Sequence, residues 1–172
     1  MKYILAAAIA ILPFSLLAAT QPSIDAYRLR LYHTHTLERL DIVYRRGADY
    51  VPEGLSQLDR FLRDHRTGEI HHFDPRLFDL LRDLTDLTGQ PDAEIDIICG
   101  YRTPASNEFL RTHTTGVAKN SLHMQAEAID IRLPGVRTSH LRDLALALGR
   151  GGVGYYPKSD FIHVDVGRVR RW

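Results

Sequence analysis

The chain is expected to fold as an α+β domain, a small antiparallel sheet with helices packed on it. Three observations lead there. Residues 27–46 alternate apolar and polar in the manner of two paired strands. Several later segments carry apolar residues at helical spacing. Strands and helices are interleaved without regular βαβ spacing, and no glycine-rich phosphate loop follows a strand, which counts against a doubly wound nucleotide enzyme.

Tyr27, Leu29 and Leu31 share one face of the first strand, and Leu40, Ile42 and Tyr44 share one face of the second. Arg45-Arg46-Gly47 closes this N-terminal hairpin. A helix is predicted over Pro52–His65, with Leu55, Leu58, Phe61 and Leu62 on one stripe. Asp74 suits an N-cap and Pro75 the first helical position. Leu77, Phe78, Leu81 and Leu84 then follow at helical spacing until Gly89. Ile95–Cys99 reads as a short buried strand, and Thr103-Pro104 opens a third helix with Phe109 and Leu110. Ala128–Leu133 reads as a strand stopped by Pro134-Gly135. Ser139 caps a fourth helix burying Leu141, Leu144, Ala145 and Leu148 before Gly149. Gly151, Gly152 and Gly154 form a flexible approach to a last strand, Phe161–Val166.

The 172 residues, 44% apolar and 25% charged, have the make-up of one globular domain, and a formal net charge of +1 counts against a nucleic-acid binder. Met1-Lys2, the apolar run Tyr3–Leu17 and Ala18-Ala19 have the three-part layout of a secretory signal peptide. Residues 1–19 are therefore expected to be a leader and residues 20–172 a single domain, periplasmic or otherwise exported, with no stable membrane span after processing. Leu16 or Leu17 stands where a small residue is preferred before cleavage, so an uncleaved N-terminal anchor is the other reading. Lys2 is the only charged residue of the leader, so its removal leaves a neutral chain. Cys99 is the only cysteine. It cannot form an internal disulfide, and thiolate-rich zinc sites are excluded. Its apolar setting reads as a buried, inert thiol.

Three stretches carry chemistry: Ser121–Asp130, Ser159–Asp165, and Gly100-Tyr101-Arg102. A catalytic zinc keeps three protein ligands, mixing imidazole with carboxylate, and leaves a place for water. His123, Asp130 and His163 offer such a set. In a strand, Asp130 points opposite to Ile129 and Ile131. His163 and Asp165 share a face opposite to Ile162 and Val164. Taken singly, each reads better as an ordinary polar strand position than as a ligand. His33 and His35 read as polar strand positions, His65, His71 and His72 as surface residues, His113 as a loop residue. Arg168, Arg170 and Arg171 read as solvated charges and Trp172 as a terminal plug.

The stretch from Ser121 to Asp130 resembles the S-x-H-x-x-G-x-A-x-D motif of the D-alanyl-D-alanine carboxypeptidase-like metallopeptidases. Asp160-Phe161-Ile162-His163 resembles that family's acidic-x-x-H element. The closer resemblance is to its murein endopeptidase K branch. It runs from Leu31–Thr36 through Leu62–Glu69, Asp74–Leu77, Gly100–Pro104 and Gly151–Pro157 to the end of the chain.

The resemblance implies a zinc site in a surface cleft, with one ion on His123, Asp130 and His163, and peptidoglycan peptide stems as substrate. It implies a murein endopeptidase. A non-catalytic wall-binding module and a zinc D,D- or L,D-carboxypeptidase are the alternatives. Asp160 is the first candidate for the general base and Asp165 the second, the latter also able to orient a ligand. Arg102 is placed to bind a substrate carboxylate or steady an oxyanion, and Ser121 to bind substrate or shape its turn. Ala126 stands where the motif prefers Gly, which predicts a turn that avoids a conformation only Gly adopts easily. Asp160 stands where the wider family has Glu, one methylene longer.

Overall fold

A computed structural model describes residues 25–172. The expected leader over residues 1–19 lies outside them. Among the described residues one eight-stranded sheet is accompanied by four α-helices. In chain order the elements are β1 (Ala26–His33), β2 (Arg39–Arg46), β3 (Asp49–Tyr50), α1 (Pro52–Phe61), α2 (Arg76–Leu87) and β4 (Glu94–Cys99). Then come α3 (Pro104–His113), a 3-10 turn (Leu122–Gln125), β5 (Ala128–Arg132), α4 (Thr138–Leu148), β6 (Gly152–Tyr156), β7 (Phe161–Asp165) and β8 (Arg170–Arg171). Across the sheet the order is β3-β2-β1-β4-β5-β7-β6-β8. All pairings are antiparallel except β1 with β4 and β6 with β8. The sheet is thus larger and more mixed than the sequence suggests.

The alternation seen in the sequence sorts the strands into two faces. Leu29, Leu31, Ile95, Ile97, Ile129, Ile131, Ile162 and Val164 are buried in one hydrophobic cluster with Leu58 and Phe61 of α1, Leu77, Phe78, Leu81 and Leu84 of α2, and Leu141 and Ala145 of α4. The intervening residues of β5 and β7, Asp130 and His163, line a cleft on the other face. Among the described residues no helix is long and apolar enough to cross a membrane.

Several boundaries differ from the sequence reading, each for a local reason. Helix α1 stops at Phe61 rather than His65. The chain turns there into a tight loop in which Asp64 N–H donates to the Glu69 carbonyl at 2.9 Å and Gly68 N–H to the Asp64 carbonyl at 2.7 Å. Helix α2 begins at Arg76 with Pro75 at the N-cap, one residue later than expected, and Asp74 Oδ1 accepts the N–H of Arg76 at 2.9 Å from just ahead of it. Thr103 caps α3 by accepting the N–H of Ser106 at 3.1 Å. Helix α4 begins at Thr138, so Ser139 lies inside its first turn and caps nothing.

The glycines at 151–154 are not a flexible approach. Gly152 and Gly154 lie in the first residues of β6 with Gly151 just before it, and all three are required by contact, Gly151 by the backbone carbonyl of Asp165. A Cβ on Gly152 would lie 2.4 Å from Asp165 Oδ2, and one on Gly154 would lie 2.7 Å from the Trp172 ring. Trp172 is held there by its Nε1–H, which donates to the Tyr156 hydroxyl at 2.8 Å, and by its backbone N–H, which donates to the Val153 carbonyl at 3.2 Å.

Gly154→Ala should therefore displace Trp172, the chain's single tryptophan. The expected result is red-shifted tryptophan emission and a loss of about 1–3 kcal/mol in unfolding free energy, as for other overpacking changes. An unchanged spectrum and midpoint would show that the ring does not depend on a bare backbone at 154.

Candidate metal centre

Three donor atoms converge on the cleft side of the sheet. His123 Nε2 lies 3.2 Å from Asp130 Oδ1 and 3.1 Å from His163 Nδ1, and that Nδ1 lies 2.9 Å from Asp130 Oδ1. All three residues are more than nine-tenths buried. Two come from paired strands, since the β5–β7 register sets Asp130 directly opposite His163. The third comes from the 3-10 turn, where Ser121 Oγ accepts the N–H of His123 at 3.4 Å. Ser121 is thus buried and shapes this turn.

The turn closes through Ala126, whose φ of 53° and ψ of 36° are left-handed. This overturns the expectation that the Ala would steer the backbone away from Gly-like angles. Packing imposes the conformation: the methyl is fully buried, and Asp74 N–H donates to the Ala126 carbonyl at 3.2 Å. The left-handed region costs about 1–2 kcal/mol for a residue with a Cβ.

Each imidazole is aimed by what its other nitrogen does. His123 Nδ1 lies 2.8 Å from the Gly100 carbonyl, which can only accept, so Nδ1 carries the proton and Nε2 presents its lone pair to the cluster. His163 Nε2 lies 3.1 Å from Asp165 Oδ2, which leaves Nδ1 facing the cluster. Asp165 is fully buried and saturated with donors. Its Oδ1 accepts from Gly152 N–H at 2.8 Å and Gly167 N–H at 2.9 Å, and Arg170 donates to both of its oxygens, at 3.1 and 2.7 Å.

The protonation preferences follow from this arrangement. Burial alone would raise the Asp130 carboxyl, yet the imidazoles of His123 and His163 hold it well below the ordinary carboxylate range. Burial lowers His123. His163 is raised in spite of burial, because Asp130 and Asp165 both bond to it. Asp165 is held down to about 2 against its burial by His163, Gly152, Arg170 and Gly167.

The donor set fits a small tetrahedral cation. Metal bonds of about 2.0–2.1 Å put adjacent corners of a tetrahedron about 3.3 Å apart, close to the spacing seen here. Two imidazoles and one carboxylate are the mixture such a cation takes when one position stays open.

A family model described as peptidoglycan L,D-endopeptidase MepK, of the M15 peptidases, matches residues 21–172. The chain belongs to this family. It is 42% identical over 171 residues to the probable peptidoglycan L,D-endopeptidase MepK of Haemophilus influenzae, which covers 98% of this chain and 90% of that one. It is 40% identical over 166 residues to the peptidoglycan L,D-endopeptidase MepK of Escherichia coli K12, covering 95% and 88%.

Within this MepK-family fold, the remaining sequence candidates fall in different places. Arg102 stands beside the cluster. Its Nη2 is 4.0 Å from Asp130 Oδ2, its Nη1 donates to Asn107 Oδ1 at 3.3 Å, and its buried Nε has no partner among the described residues. Asp160 is not brought to the three donors. It occupies a left-handed turn between β6 and β7, accepts the Thr138 hydroxyl, and lies 3.9 Å from Arg132, although its neighbours Ser159 and Phe161 line the cleft.

Three participants escaped the sequence reading. A bulge between Ile97 and Cys99 flips Cys99 from the core face to stand opposite Asp130. Sγ thus joins His123 and Asp130 in a group whose candidate donor atoms all lie within 4.8 Å of one another. His163 is the better third ligand, because burial pushes the Cys99 thiol up to about 12 and keeps it protonated, while Asp165 holds the other His163 nitrogen and leaves Nδ1 facing the cluster. Arg170 is no solvated charge but the partner of Asp165. Trp172 is half-exposed, and its ring centroid sits 5.2 Å from that of His163 as part of the cleft wall.

Two outcomes follow from this layer of support. Asp165→Asn should weaken metal binding about 10- to 100-fold in a chelator competition titration, since the His163 ring loses its anchor. Unaltered affinity would make Asp165 a structural residue only. The Cys99 thiol of the folded protein at pH 8 should react with a thiol reagent at least about a hundredfold slower than in the unfolded chain, because the thiolate is the reactive form. Equal rates would contradict its protonated, buried state.

Proposed function

We propose that this chain is a zinc-dependent endopeptidase that hydrolyses peptide cross-links of peptidoglycan, and that it acts in the periplasm or otherwise outside the cytoplasm. The observation that carries the reading is the convergence of His123 Nε2, Asp130 Oδ1 and His163 Nδ1 at the floor of an open cleft. Family membership and the peptidoglycan endopeptidase activity of the relatives support the same substrate. The cleft, of about 340 Å³, is large enough for a short peptide segment.

In this reading His123, Asp130 and His163 hold the ion. When bound, zinc supplies Lewis acidity to a scissile carbonyl and a water acidic enough to act near neutral pH. The chain's own groups do the rest. Arg102, buried with a free Nε, binds a peptide carboxylate or steadies the negative charge that develops on the carbonyl oxygen. Asp165 already accepts from four residues. It keeps the His163 ring fixed and has no free lone pair with which to take up another proton. Asp160 is the proton acceptor of this scheme. It is the acid of the 159–165 segment with an exposed side chain, and this role requires its carboxylate to leave Thr138 and Arg132 and turn to the cleft that its neighbours Ser159 and Phe161 line.

Digestion of purified wall material tests the reading. Soluble peptides should be released, release should stop with a chelator, and zinc should restore it. Retention on the wall without cleavage would instead establish a binding module. Fragments lacking only a terminal residue would establish a carboxypeptidase. Asp160→Asn should lower turnover about 10²- to 10⁴-fold, the usual contribution of a general base, with metal content unchanged. Full activity in that variant would remove Asp160 from the chemistry.

A further inference from the structure

At the far end of the cleft from β5 and β7 lies a second set of polar residues with no role in holding an ion. His35, His65 and Arg66 line this end. The rings of His35 and His65 stack with centroids 4.2 Å apart and planes 10° from parallel. Stacked rings cannot share an ion in the plane of both, so the pair is a wall and not a second metal site. Behind it His33 is fully buried, contrary to its reading as an ordinary strand polar. Its Nδ1 accepts from the N–H groups of His35 and Thr36 at 3.2 and 3.4 Å and fixes the hairpin tip.

Arg66 is exposed and lines the cleft, and among the described residues its guanidinium has no carboxylate partner. Its placement is not accidental. Asp64 is fully buried, and its Oδ1 accepts the backbone N–H of Arg66 at 2.9 Å. The other oxygen of Asp64 accepts from Thr103 N–H at 2.8 Å and from the Thr103 hydroxyl at 2.9 Å. Thr103 directly follows Arg102. One buried carboxylate therefore fixes the backbone beside both arginines and sets them on the same wall.

The field of Arg66 reaches into the site. After burial, it is the main influence lowering His35 and His65, the latter to about 4, so both rings are neutral and the arginine is the standing cation of this end. Of the carboxylates among the described residues, only Asp130 lines the cleft, against Arg66, Arg102 and Arg170, the last of these paired with Asp165. A peptide that fits such a surface carries negative charge.

We propose that Arg66, walled by the His35–His65 stack and positioned by Asp64, forms a carboxylate subsite separate from Arg102, so that the preferred stem peptide carries a free side-chain carboxylate beside the scissile bond. The inference rests on the peptidase reading and adds to it a determinant of which cross-links are cut. Arg66 acts through substrate binding, and its loss moves KM in preference to kcat.

The test uses the full-length, metal-loaded protein and two purified cross-linked stem-peptide dimers that differ only in whether the side-chain carboxylate next to the scissile bond is free or amidated. Wild-type protein should favour the free acid about tenfold in kcat/KM, through KM, as for one charge-assisted hydrogen bond. Arg66→Gln should lose that preference while keeping wild-type metal content, and Arg66→Lys should keep part of it. If wild type cuts both dimers equally well, or Arg66→Gln keeps the preference, the subsite is refuted and the peptidase reading stands. If wild type cuts neither dimer, both readings fall together.

Discussion

The register of β5 against β7 is the constraint on which the site depends. Asp130 faces His163 across the ladder, flanked on each strand by Ile129, Ile131, Ile162 and Val164, which are buried beneath the helices. Side chains alternate strictly along a strand, so a slip of β5 by one residue would drive the Asp130 carboxylate into the core and turn Ile129 and Ile131 out, and a slip of β7 would do the same to His163 with Ile162 and Val164. The hydrophobic effect that packs α2 and α4 on this sheet thereby also aims the polar groups. Burial of the isoleucines and convergence of the donors are one event.

Around that pair the molecule holds each charge with a second one. Arg170 secures Asp165, which secures the His163 ring, and the Gly100 carbonyl secures His123. Asp64 performs the same service for the wall that carries Arg66 and Arg102. These supports come from chain segments far apart in sequence. Close backbone approach makes them fit: a Cβ on Gly152 would meet Asp165, and one on Gly100 would lie 2.5 Å from the Leu62 carbonyl. Buried charges of this kind persist because every oxygen finds a donor.

Much of this was legible in the sequence. The period-2 pattern located β1, β2, β5 and β7 and assigned Asp130, His163 and Asp165 to one kind of face. The helical spacing located α2, with Asp74 ahead of it and Gly89 behind. Hidden features were those in which long-range contact overrides local pattern. Nothing local announces the bulge that turns Cys99 towards Asp130, or the pairing that makes a strand of Gly152–Tyr156 and brings Trp172 beside His163. Arg170 looked like a solvated charge because its partner is defined only by the return of β8 to the sheet. Asp160 drew attention by its spacing from His163, whereas the turn it occupies directs its carboxylate to Thr138 and Arg132.

The cleft has convergent donors on its floor, Trp172 on one side, Arg102 beside Asp130, and Arg66 with the stacked His35 and His65 rings along its lining. The most direct measurement of this account is the metal content of the purified protein beside that of His163→Ala. The account predicts one zinc per chain in the wild type and none held by the variant, with both folded. Wild-type protein that takes up no zinc, or a variant that keeps it, would contradict it.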